Sequence, residues 1–280
     1  TITAILSGRF PLYEAHFGLS ARPFGETVDP SAYVALPSRE SALRRLRYGL
    51  EHGPGPALAF GPPGSGKTLL ARTLARDLGG LAVHLAFPAM PAADLLAYLA
   101  DELAAPPAPA PGLGLAGSIR RLQVMLSAAS AKGQRPLLIV DEAHLIDDPS
   151  TFETLRLLLN FATSGPPDLS LLIVGGAEVL LRLPPALSDR LAARCLLGPL
   201  TEEESAAYVL GRLTAAGATE PLFDPESLRV LHRAADGLPR RLNRLADLSL
   251  LIAYARDQDR PDTHAITAAA REAVADPLAA

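Results

Sequence analysis

Beyond residue 50 the apolar positions alternate between two patterns. Short, almost continuous apolar runs at 56–60, 81–87, 136–140 and 169–174 read as strands buried on both faces, as in a parallel sheet. Between them lie stretches with apolar residues at helical spacing, at 67–78, 91–104 and 118–131. An earlier helix starts at Ser38, with Glu40 in its first turn, and Gly53 ends it. Leu43, Leu46 and Leu50 form its apolar stripe, and Arg39, Arg44, Arg45 and Arg47 form a solvated face. Tyr33-Val34-Ala35-Leu36 predicts a short strand, and Ser150 with Glu153 a capping box for a helix running to about Thr163.

After Gly198-Pro199 the strand pattern stops and only helices are expected. Thr201 with Glu204 forms a capping box for a helix over 202–216, and Asp224-Pro225 starts another. Gly237-Leu238-Pro239-Arg240 punctuates before a helix over 241–256, and Asp262 caps a last one ending near Ala275. The division expected is an N-terminal segment, 1–37, packed on the core; an α/β domain, 38–199; and a helical domain, 200–280. Residues 105–114, rich in Pro and Ala, read as a connector.

Composition narrows the picture further. At 280 residues, with 49% hydrophobic and 20% charged positions, the chain can bury a substantial core. A net charge of −4 means that any nucleic-acid contact must come from a local patch. Arg44, Arg45, Arg47, Arg120 and Arg121 are the candidates for one such surface. The single Cys195 fits a reducing compartment, and there is neither a signal peptide nor an uncharged apolar run near 18 residues. A cytoplasmic protein with no membrane span is the expectation.

Gly61-Pro62-Pro63-Gly64-Ser65-Gly66-Lys67-Thr68 fills the pattern G-x-x-x-x-G-K-T between a predicted strand and a predicted helix. The glycines let successive backbone N–H groups turn toward phosphate oxygens, and the helix presents its positive end to the same anion. Gly61 through Leu69 are therefore expected to bind ATP. Lys67 would reach the β- and γ-phosphates and Thr68 would ligate Mg²⁺. The apolar strand ending in Asp141-Glu142 supplies the complementary group: Asp141 holds Mg²⁺, and Glu142 polarises a water for attack on the γ-phosphate. Asp141-Glu142-Ala143-His144 also spells a helicase motif, but such helicases need two stacked P-loop domains and only one fits here. His144 is read as a hydrogen-bonded or surface residue.

An α/β domain followed by a small helical one is the layout of AAA+ ATPases. Tyr13, Phe17-Gly18-Leu19, Pro23-Phe24, Asp29-Pro30 and Ser38-Arg39-Glu40 resemble the opening of the ExeA or GspA secretion ATPases. Leu155 to Asn160, Leu197 to Leu200 and Gly237 to Asn243 are similar to later motifs of that family, so the resemblance covers about residues 13–275. It implies a P-loop AAA+ three-layer αβα domain with a parallel sheet, followed by a helical lid. Arg240 matches a sensor arginine that would touch the γ-phosphate; its bland alternative is a turn cap. Arg190 matches an arginine finger donated to a neighbouring subunit, with Arg194 as runner-up and a surface ion pair as the alternative for both. A finger implies a homo-oligomer, ring or filament.

Two departures stand out. The family's V-G-Q-P-E-L is Val174-Gly175-Gly176-Ala177-Glu178-Val179, so Gly176 has no side chain to orient the attacking water, and its D-E-A-Q ends here in His144. Membrane-bound relatives continue into a transmembrane segment and a cell-wall-binding domain that this sequence does not contain. Three functions remain open: a secretion- or envelope-linked ATP-driven switch on a protein partner; a regulator of the TnsC or MuB type assembling on double-stranded DNA; and a nucleotide-binding scaffold that scarcely hydrolyses ATP.

Overall fold

A computed structural model describes residues 13–104, 114–163 and 165–275. The predicted connector lies outside these residues except for Gly114, which opens a helix a turn earlier than the pattern suggested. In chain order the elements are α1 (Pro37–His52), β1 (Ala57–Phe60), α2 (Lys67–Leu78), β2 (Ala82–Leu85), α3 (Ala92–Glu102), α4 (Gly114–Ser130), β3 (Leu137–Val140), α5 (Pro149–Leu158) and β4 (Ser170–Gly175). Two single-turn helices follow, α6 (Val179–Arg182) and α7 (Pro185–Ser188), then β5 (Ala193–Leu196). The remaining helices are α8 (Glu202–Ala215), α9 (Pro225–Ala235), α10 (Pro239–Ala255) and α11 (Thr263–Ala275).

The chain divides into two compact units, one of residues 38–63 and 67–198, the other of residues 1–37, 64–66 and 199–280. In the first unit the five strands form a parallel sheet ordered β2-β3-β4-β1-β5. Leu58, Val83, Leu85, Leu138, Val140, Leu171 and Ile173 pack on one face with Leu95, Leu99, Leu122, Leu126 and Phe152 from α3, α4 and α5. Because strand side chains alternate, Ala57, Ala59, Ile139, Leu172 and Val174 bury the opposite face. There α2 sends Arg72 to His84 of β2, and the Ala42 carbonyl of α1 lies 3.9 Å from Cys195 Sγ on β5. The result is three layers with β4 at the centre. β1 and β3 flank it, so their carboxyl ends stand about 10 Å apart on one edge.

Several expectations are corrected. Tyr33–Leu36 joins no strand: Tyr33 caps a short 3₁₀ turn, and Pro37 starts α1 immediately after Leu36. Arg39 is buried, not solvated, because its guanidinium donates to the Gly198 carbonyl at 2.8 Å. Ser150 and Glu153 form no capping box: Asp148 caps α5, with Pro149 at the first helical position, and Glu153 pairs with Arg156. The same helix stops at Leu158, and Thr163 turns back through its N–H and hydroxyl onto the Asp168 carboxylate. β5 was not foreseen. It lies against α1, where a Cβ on Gly49 would stand 2.6 Å from Ala193 Cβ, and one on Gly55 1.7 Å from the Arg190 carbonyl oxygen.

In the second unit α8 carries the predicted Thr201–Glu204 capping box, and Asp224 and Asp262 cap through the Ser227 and Ala265 N–H groups. The described part of residues 1–37 groups with this unit. Tyr13, Leu19, Phe24 and Leu36 are buried with Val209, Phe223, Leu231 and Leu242. Arg212 donates to the carbonyls of Pro23 and Gly25 at 2.8 and 3.1 Å. Asp247 of α10 accepts from the Tyr13 hydroxyl and from both arms of Arg22. Burial and this carboxylate raise the Tyr13 phenol far above its usual range.

Two outcomes follow from this packing. Gly55→Val should lower stability by about 1–3 kcal/mol or more, since backbone oxygen occupies the space the side chain needs; a thermal melt reads it directly. Burial raises the Asp168 pKa, but the bonds from Thr163 and Ser130 outweigh it and hold the carboxyl below its ordinary value. Its stabilisation is therefore fully present above the unfolded value of ~3.9 and is lost as pH falls through the lower folded value. Urea unfolding from pH 7 down to pH 3 should show a shallower acid loss for Asp168→Asn than for the parent.

Candidate nucleotide site

Beyond Phe60 the chain keeps one more sheet bond, Gly61 N–H to the Gly175 carbonyl at 3.3 Å, and then leaves the sheet. Gly64 and Gly66 adopt φ of 78° and 90°, which side chains resist, and α2 starts at Lys67. Lys67 is buried, and its Nζ donates to the carbonyls of Gly61 and Pro62 at 3.0 Å each. These neutral acceptors are weaker partners than a phosphate oxygen, which makes a charge-assisted bond. Ser65 Oγ is shut off from water with no hydrogen-bond partner among the described residues. A buried hydroxyl in that condition costs about 1–3 kcal/mol, so the loop carries an unmet polar demand of the kind an anion answers.

Asp141 follows β3 directly, and its N–H bonds the Leu85 carbonyl at 2.9 Å. Thr68 Oγ1 donates to its Oδ2 at 2.7 Å, joining the P-loop to the acidic strand end. His84 Nε2 reaches the same oxygen at 3.1 Å, while Arg72 Nη2 lies 3.1 Å from His84 Nδ1. Arginine only donates, so Nδ1 is the acceptor and the Nε2 proton points at Asp141. Burial pushes the Asp141 pKa up, but the bonds from His84, Thr68 and the Glu142 N–H prevail and hold it below its ordinary value. A buried, ionised carboxylate beside a threonine hydroxyl is the hard-oxygen pair that Mg²⁺ accepts alongside phosphate oxygens and water. The residues present therefore fit ATP with Mg²⁺.

Glu142 sits in the left-handed region at φ 50° and ψ 36°, a conformation costing about 1–3 kcal/mol in a residue with a side chain. Such strain kept at a strand end beside a P-loop marks a carboxylate whose direction matters. His144 Nδ1 accepts the Gly176 N–H at 3.2 Å and lies 3.4 Å from Glu142 Oε2. Position 176 carries no side chain; a Cβ there would meet the Glu178 carboxylate at 2.2 Å and the His144 ring at 3.7 Å.

Of the arginines, Arg194 lies over the Phe60 ring at 5.3 Å, whereas Arg190 is exposed with one long contact, 3.4 Å to Asn160 Oδ1. In the second unit, which includes Gly64–Gly66, Arg240 follows Pro239 at the head of α10, and its N–H donates to the Gly64 carbonyl at 3.2 Å. Its side chain is largely exposed. Arg44, Arg45 and Arg47 are exposed on α1, but Arg120 and Arg121 belong to α4 on the other face of the sheet, and Arg121 pairs with Asp101. The single basic surface expected from sequence is therefore two. His84 and Arg72 were missed altogether; only the i, i+4 spacing of Thr68 and Arg72 hinted at a shared face.

Comparison with known proteins agrees with this geometry. A profile of the AAA domain matches residues 50–183. General secretion pathway protein A of Aeromonas hydrophila is 36% identical over 252 residues, covering 88% of this chain but only 45% of that protein. Among solved structures, Cdc6p of Pyrobaculum aerophilum is similar at 20% identity and a TM-score of 0.68, over 89% of this chain and 70% of that one. The DNA-bound origin recognition complex (ORC) of Drosophila is similar at 16% identity and 0.67, over 96% of this chain and 67% of that chain. These two likenesses concern the fold alone. A parallel sheet with P-loop and acidic strand joined through Thr68 and Asp141 is the AAA+ P-loop fold, and in sequence the chain resembles General secretion pathway protein A over the 45% of that protein that it spans.

Proposed function

We propose that this chain binds ATP with Mg²⁺, hydrolyses it, and uses loss of the γ-phosphate as a conformational switch acting on a protein partner in an envelope- or secretion-linked process. The observation that carries the reading is the 2.7 Å bond from Thr68 to an ionised Asp141, with Lys67 one residue away. Gly61 to Leu69 hold the phosphates, Thr68 and Asp141 hold the metal, and Glu142 takes the proton of the attacking water. The bound metal supplies charge neutralisation at the phosphates. Arg240 is assigned to sensing the γ-phosphate, and Arg190, freer than Arg194, to completing a neighbouring subunit's site in a homo-oligomer. The partner assignment rests on the secretion-protein relative, of which this chain spans less than half. Among the described residues no helix is long and apolar enough to cross a membrane.

Lys67→Ala should abolish ATP binding measured by fluorescent-nucleotide titration. Glu142→Gln should keep binding and lose turnover by about 10²-fold or more, as expected for removal of a general base. Arg190→Ala should lower turnover without lowering the parent's nucleotide affinity. Equal turnover in Glu142→Gln and the parent would sink the hydrolysis reading and favour a nucleotide-holding scaffold.

A second reading, assembly on double-stranded DNA, is favoured by one observation, the exposed trio Arg44, Arg45 and Arg47 on α1. It predicts ATP-dependent binding to a DNA duplex that weakens steeply with salt and is lost in the triple alanine variant. No affinity at low salt in the presence of ATP removes this reading.

A further inference from the structure

β4 ends at Gly175, and Gly176 follows it, two residues without side chains at the edge where β1 hands over to the P-loop. The space beside Gly176 is nevertheless occupied. A Cβ built there would stand 3.7 Å from His144 Cγ, and 2.2 Å from Glu178 Oε2. His144 comes from the 3₁₀ turn Ala143–Leu145, which the left-handed Glu142 initiates. Its backbone N also lies 3.3 Å from where a Cβ on Gly175 would be, so Gly175 is what lets this turn close on β4.

The imidazole's orientation is determined by one bond. Gly176 N–H donates to Nδ1 at 3.2 Å, which makes Nδ1 the acceptor and leaves the proton on Nε2. Because the Nδ1 lone pair is committed, the 3.4 Å approach of Glu142 Oε2 to the same nitrogen is not a hydrogen bond, and the carboxylate is left available. No partner for Nε2 appears among the described residues. The ring is partly buried, with its side chain 27% exposed. A fixed, neutral N–H donor thus stands beside the proposed base, held there by the backbone that follows β4.

We propose that His144 is a further catalytic residue for the hydrolysis step: its Nε2–H donates to an oxygen of the terminal phosphate and so aligns that group with the water that Glu142 deprotonates. Phosphoryl transfer is driven mainly by placement and by donors aimed at developing charge, and such a donor acts most on the transition state. The inference rests on the ATPase reading above. It also gives the Gly176 N–H a part in the reaction, since that bond sets which imidazole nitrogen carries the proton.

Two substitutions separate the ring's two nitrogens. His144→Asn keeps an acceptor near the Nδ1 position for Gly176 N–H but has nothing at Nε2, whereas His144→Gln extends an amide to the Nε2 position. Steady-state ATP turnover, nucleotide Kd and melting temperature are measured for both and for the parent. Expected is a loss of kcat of about 10²-fold in His144→Asn, with Kd and melting temperature unchanged, and His144→Gln well above it. Full turnover in His144→Asn, a loss that tracks Kd or melting temperature, or a glutamine variant no better than the asparagine one each overturns the role. A parent protein that binds ATP yet never turns it over overturns the hydrolysis reading itself, and the role of His144 with it.

Discussion

Asp141 Oδ2 receives two hydrogen bonds from different layers, one from Thr68 at the head of α2 and one from His84 on β2. A buried carboxylate is unfavourable by itself, and donors that favour its charged form are what make it tenable. The arrangement ties three places together: the loop after β1, the end of β3 and the edge strand β2. Arg72 behind His84 extends the chain of donors back to α2, so the helix that carries Thr68 also fixes the tautomer of the second donor. The sheet order places β4 between the two motif-bearing strands, which sets their separation and gives β4 a direct view of both.

The parts of this arrangement that were legible in the sequence are those written in contiguous residues. The P-loop needs glycines at fixed offsets before Lys67 and Thr68, and a strand buried on both faces must be apolar before Asp141-Glu142. The Thr201–Glu204 box was equally local. What was not legible depends on residues that meet only after folding. β5 contains Arg194 and is exposed along part of its length, so no apolar run announces it; close approach at Gly49 and Gly55 makes it possible. His84 looks like a stray polar residue until the register sets it beside Ile139 and next to Asp141. Arg39 shared a helix with exposed arginines and gave no sign of its carbonyl partner. At α5 two capping solutions competed locally, and Asp148-Pro149 prevailed because proline at the first helical position is pre-set for the helix.

The two units differ in how their polar groups are used. In the α/β unit two of the buried charges, Lys67 and Asp141, converge on one edge of the sheet. In the helical unit Asp247 and Arg212 tie the described N-terminal segment to α8 and α10 through Tyr13, Arg22 and the carbonyls of Pro23 and Gly25. Those bonds make residues far apart in sequence part of one body, so substitutions near Tyr13 are expected to register in the C-terminal helices rather than in the sheet.

Gly55 bears on how copies of the chain would join. It precedes β1, and its contact with the Arg190 carbonyl pins that arginine's backbone at the amino end of the strand whose carboxyl end opens into the phosphate loop. On the proposed role of Arg190, the two halves of a shared site would lie at opposite ends of a four-residue strand. Unlike surfaces would then have to meet, front of one copy to back of the next, which rules out a face-to-face pair for such a joint and would give a stack of copies a direction. Growth in that geometry has distinct leading and trailing ends unless the turn per copy closes it.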